Sequence, residues 1–187
     1  MPLIDQHLPT HDFAERHTLR VRARPGALLD CAADPAIGDD PFIERCIALR
    51  EAPARLLARL GRPTALPARV FGLADFTPLG RDGDRELAFG LAGRFWQADY
   101  GLVPWHAPAS ADAPGFARLV MNVTATPLPD GATLLATETR VHCPDALSRR
   151  RFAPYWWLIR PVGGLIRRRL LQRIAKAAST AAVAPAT

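Results

Sequence analysis

Glu138 and Arg140 stand two residues apart within Ala132 to Cys143, a run rich in β-branched residues. In an extended strand that spacing brings a carboxylate and a guanidinium to the same side. Leu134, Ala136 and His142 share this side, and Thr133, Thr137, Thr139 and Val141 take the other. If the Leu134 side faces a covering helix, the pair can orient a polar ligand group. A carboxyl pKa raised by burial would add acid–base chemistry. If that side faces water, the two form a surface ion pair worth at most ~1 kcal/mol. Both readings stay open.

Arg94 and Trp96 share one strand face and suit a carboxylate beside an aromatic wall; the plainer reading is a packed Trp and a salt bridge from Arg94 to Glu138. Tyr155, Trp156 and Trp157 open the last apolar segment, where they serve as packing or, with the Tyr hydroxyl as a handle, as part of a ligand site. The five histidines include no pair at a metal-ligand spacing, so no metal and no cofactor is expected. Ser110 and Ser148 lack a nucleophile-elbow context, and Cys143 has no evident His partner. Gly90 and Gly93 lie within a strand pattern, not before a helix, which argues against a phosphate cradle.

The elements that must carry these residues follow from periodicity. A strand is expected over His17 to Ala23, a short helix over Ala27 to Ala33, and a longer helix opening at Asp40-Pro41 and running past Pro53 toward Gly61. Val70 to Thr77 and Glu86 to Trp96 read as strands around a turn at Leu79 to Asp84. Gly101 to Gly115 reads as a loop. Phe116 to Thr126 and Ala132 to Cys143 flank Pro129-Asp130-Gly131, a hairpin signal. A long helix follows from about Asp145 to Ala178, bent near Pro161, with Leu158, Val162, Leu165, Ile166, Leu170 and Ile174 as its apolar stripe. An antiparallel sheet needs a cover for one face, and this helix is the longest apolar surface available.

A length of 187 residues suits one α+β domain, with a core over about 16–178 and flexible ends over about 1–15 and 179–187. The net charge of +6 is carried almost wholly by arginine, Lys176 being the only lysine. Arg167, Arg168, Arg169 and Arg173 could meet an anionic membrane surface, although positive charge is also favourable at a helix C-terminus. No aromatic interleaving suggests nucleic acid. Three widely separated cysteines and a polar start without a signal-peptide pattern lead us to expect a cytoplasmic protein.

The order of elements resembles the START-like or SRPBCC superfamily, the helix-grip fold of lipid-transfer domains, pollen allergens and polyketide cyclases. The runs Glu86 to Trp96, Thr137 to Val141 and Arg151 to Pro161 resemble an uncharacterised bacterial branch of it. The resemblance implies a curved antiparallel sheet wrapped around the C-terminal helix, and a cavity between them for a hydrophobic molecule of lipid, polyketide or isoprenoid type. It carries no catalytic motif onto residues here. The expected ligand-site residues are therefore Arg94, Trp96, Glu138, Arg140, Tyr155 and Trp156. The alternatives are a cyclase- or hydratase-like enzyme with Glu138 as acid or base, and a protein- or membrane-surface module.

Overall fold

Leu128-Pro129-Asp130-Gly131 closes the central hairpin: the Asp130 carboxylate accepts from the Ala132 N–H, and Gly131 takes φ +78°, which a side chain would resist. The computed structural model describes residues 1–61, 71–106 and 114–183, except the side chains of Leu57, Ala182 and Val183. In chain order they form α1 (Leu3–His7), β1 (Phe13–Val21), α2 (Pro25–Ala33), α3 (Pro41–Arg59), β2 (Thr77–Asp82), β3 (Glu86–Gly93), β4 (Ala117–Pro127), β5 (Thr133–His142) and α4 (Ala146–Val183). Single 3₁₀ turns occupy Pro35–Gly38 and Leu73–Asp75. The strands make one curved antiparallel sheet in the order β1-β5-β4-β3-β2. With α4 on one face, the architecture is an α+β helix-grip arrangement.

Register assigns the faces. Glu15 pairs with Thr139, Thr139 with Met121 and Met121 with Phe89; the next row runs His17, Thr137, Val123, Leu87. These residues, with Leu19, Val21, Leu135 and Val141, lie on the face that α2 and α4 cover. That face holds two apolar clusters. One joins Leu28, Leu29, Leu87, Val123, Leu135, Leu171 and Ile174; the other joins Leu91, Phe95, Val141, Phe152 and Trp156. A third cluster lies on the opposite face, where Ile4, Leu8 and Trp105 cover Ala92 and Val120.

Several expectations shift. β1 begins at Phe13, and the start expected to be flexible holds α1. This five-residue helix has no capping side chain of its own; the buried Glu86 carboxylate accepts from the Leu3 and Ile4 N–H groups instead. The strand expected over Val70 to Thr77 begins only at Thr77, and Val70 itself lies outside the described residues. The turn expected over Leu79 to Asp84 is shorter, because β2 extends to Asp82.

α4 runs through both prolines. Pro154 and Pro161 are exposed and seven residues apart, so both sit on the solvent side, where water can satisfy the carbonyls that lose a partner. The buried stripe is rotated from the one expected. Leu170 and Ile174 are in the core, but Leu158 is 78% exposed, and Val162 and Leu165 are exposed too. Ser148, Phe152, Trp156, Gly164, Leu171 and Ala178 are buried as well. The large aromatics at the start of α4 set this rotation, because Phe152 packs edge-on to Phe13 and Phe95 at 5.1 and 6.3 Å.

Candidate functional site

A polar band crosses the α4 side of the sheet where β1 and β5 meet. β1 alternates, so Phe13, Glu15, His17, Leu19 and Val21 all point toward α4. His17 Nε2 lies 2.9 Å from Glu15 Oε1, and each side chain is only about a tenth accessible. Thr137 and Thr139 beside them are fully buried. The Thr137 hydroxyl donates to the Asn122 carbonyl at 2.8 Å, and the Thr139 hydroxyl accepts from Arg167 Nε at 2.8 Å.

Gly164 lets α4 approach this band: a β-carbon there would come within 3.0 Å of Glu15 Oε1 and 3.3 Å of the His17 ring. One turn on, Arg167 points inward. Burial pulls its guanidinium below the ordinary arginine pKa, and the charge of Glu15 acts in the opposite direction. Among the described residues no ion pair joins Glu15 to Arg167, so Glu15 acts at a distance.

The β3 and β4 part of the same face is apolar and incompletely covered. Phe89 and Leu119 lie on interior strands and face α4, yet both remain half-buried. Met121 between them is buried. α3 is tied to α4 and to the segment that follows β3. Its start is held by Asp40, which accepts from Arg169 Nε at 2.9 Å and from the Phe42 N–H at 2.8 Å. Further along, Arg50 donates to the Phe95 and Gln97 carbonyls and stacks over Tyr100 at 3.7 Å, with Tyr155 at 5.2 Å. Burial raises the Tyr155 hydroxyl above its ordinary pKa. Ile43, Cys46 and Ile47 fall on the Arg50 side of α3 by helical spacing and are half-buried.

The expected site residues divide. Tyr155 and Trp156 are on the α4–sheet side, Trp156 as core against Phe13 and Phe152. Trp96 packs at 6.4 Å from Phe152, but it lies beyond the end of β3. Arg94 turns to the Gly115 carbonyl and the Phe116 ring rather than to Glu138. Glu138 and Arg140 lie on the opposite face, where Arg140 bridges Glu138 at 2.6 Å and Asp5 of α1 at 2.5 Å. They tie α1 to the sheet and do not face α4. Acid–base chemistry by Glu138 beneath α4 requires the other face, so Glu138 does not supply it there.

The C-terminal arginines are also largely committed inward. Arg167 reaches Thr139, Arg169 holds Asp40, and Arg173 donates to the Ile37 carbonyl at 3.0 Å. Arg168 is exposed. Glu15, Thr139 and Arg167 were not among the expected site residues. Two signals marked them: Glu15 alternates in phase with Phe13 and Leu19, and Arg167 falls at helical spacing from Gly163, Leu170, Leu171 and Ile174.

Among the described residues, no group of three His, Cys, Asp or Glu side chains could hold a metal ion, and no helix is long and apolar enough to cross a membrane. A groove of about 390 Å³ lies between Arg22–Pro25 and the β4–β5 turn, and it contains none of these site residues.

No family model matches the chain, and no curated protein matches it. Among solved structures it is similar to protein MLL2253 from Mesorhizobium loti, at 15% identity and a TM-score of 0.40, covering 88% of this chain and 96% of that one. It is also similar to TTHA0849 from Thermus thermophilus, at 9% identity and a TM-score of 0.33, covering 92% and 100%.

Proposed function

We propose that this chain binds a small hydrophobic molecule between the sheet and α4, over Phe89, Leu119 and Met121. The observation that carries this reading is the partial accessibility of Phe89 and Leu119. Apolar side chains on interior strands beneath a helix layer are ordinarily buried to completion, because each large one is worth roughly 1.5–3 kcal/mol when removed from water. Leaving two of them partly uncovered is consistent with space reserved for an apolar guest. α3 supports it with half-buried Ile43, Cys46 and Ile47 on the side that carries Arg50.

Native mass spectrometry of gently purified protein tests this. The expected result is a non-covalent adduct that organic extraction removes, leaving a protein that takes up added hydrophobic probe at one-to-one stoichiometry. A bare protein mass together with no uptake of added probe would reject it.

A second reading concerns the outer side of α4. Trp157, Leu158, Val162 and Leu165 form an exposed apolar ridge, with Arg160 over the Trp157 ring at 5.4 Å and Arg168 nearby in sequence. That pattern suits contact with an anionic membrane surface. Liposome flotation at low and high salt tests it, with salt-sensitive binding expected and none counting against it.

A further inference from the structure

We propose that Arg167 is the anion-recognising group of the site and that the ligand carries a single carboxylate on an apolar body. This rests on the hydrophobic-ligand reading above and specifies its ligand class.

The geometry gives Arg167 no other evident purpose. Its Nε is used by the Thr139 hydroxyl at 2.8 Å, which fixes the plane of the guanidinium and leaves the Nη1/Nη2 edge to face outward from that bond. Gly163 stands against this edge and has no side chain to displace it, since a β-carbon there would come within 3.0 Å of Nη1. Among the described residues the guanidinium joins no ion pair, whereas Arg169 and Arg173, two and six residues further on, both pair with Asp40. Glu15 is the anion whose charge reaches it, but no ion pair joins the two and Glu15 Oε1 lies against His17. A half-buried cation without a paired anion is unfavourable, so an anion delivered by a ligand would be favoured there.

The free edge of one guanidinium matches the two oxygens of one carboxylate. A phosphate dianion fits less well. It would need a second cation, and the neighbouring charge of Glu15 opposes a double negative charge. The apolar remainder of the ligand would extend from Thr139 along its cross-strand row, over Met121 toward Phe89.

Isothermal titration of the full chain with decanoate and with 1-decanol tests this. The wild type should prefer decanoate by about tenfold or more, the range of a charge-assisted hydrogen bond. Arg167→Met should abolish that preference while keeping decanol binding, and its Tm should hold or rise because a buried charge has gone. Equal affinity for both probes in the wild type overturns the carboxylate assignment and leaves the hydrophobic reading standing. Binding of neither probe rejects that underlying reading as well. A preference retained in Arg167→Met, or a Tm that falls together with loss of decanol binding, assigns Arg167 to structure and overturns the proposal. If Arg167→Met does not fold, Thr139→Val decides: a preference reduced several-fold supports the proposal, and an unchanged one overturns it.

Discussion

The Glu86 carboxylate accepts the Leu3 N–H at 2.7 Å, so a residue of the central sheet caps a helix that precedes it by more than eighty positions. The same carboxylate accepts from Ile4 N–H and from Asn122 Nδ2. Glu86→Ala leaves two buried donors and one half-buried donor without this partner, at about 1–3 kcal/mol for each unsatisfied group and less wherever water can enter. We expect a loss of about 2–4 kcal/mol by urea denaturation. Amide exchange should accelerate at Leu3 to Leu8 and stay unchanged in β5.

The rotation of α4 makes a paired prediction. Ile174 is fully buried between α4 and the sheet, so Ile174→Ala should cost about 2–4 kcal/mol. Leu158 is 78% exposed, so Leu158→Gln should change stability by less than about 0.5 kcal/mol. Equal costs at the two positions would contradict the assigned face.

Acid should loosen both ends of the helical layer. The Ser148 hydroxyl, then the Gly115 and Ser148 N–H groups, hold the Asp145 carboxyl at about 2. Arg169 likewise holds Asp40 below its ordinary value of 3.8. Both carboxyls are depressed in the folded state, so their contribution is present above pH ~4 and is lost as pH falls through the folded-state values. Urea midpoints measured between pH 4.5 and 2 should fall for the wild type. The fall should be shallower in Asp145→Asn and in Asp40→Asn.

Cysteine chemistry separates core from border. Burial, followed by the charges of Asp12 and Asp145, pushes the Cys143 thiol up to about 12, and the residue is 5% exposed. At pH 8 it should react with a disulfide reagent only as the protein unfolds, whereas half-buried Cys46 reacts in the native state. Rapid labelling of all three thiols would argue against the packing of Cys143 beside Phe152.

Much of this architecture was legible in the residues. The β4–β5 hairpin and the capped start of α3 at Asp40 both rest on local chemistry, a Pro-Asp-Gly turn and an Asp-Pro helix start, and both formed where expected. What was hidden depended on partners distant in the chain. α1 is too short to announce itself and is stabilised by Glu86. The faces of β5 were ambiguous because both are covered, one by α4 and the other in part by α1; the buried threonines of the inner face are satisfied by Ala23, Asn122 and Arg167. α4 carries two apolar stripes, and which one is buried was decided by Phe152 and Trp156 meeting Phe13. Arg167 looked like one more basic residue in a basic run, and only the fold turns it inward.

The chain has two methionines, Met1 at the exposed start and Met121 beneath α4. A methyl-labelled sample titrated with decanoate therefore reports the site with one resonance and carries its own control in the other. A saturable shift of the Met121 methyl with Met1 unmoved is the predicted result. Binding that leaves Met121 unmoved, or no binding at all, would contradict a ligand site between the sheet and α4.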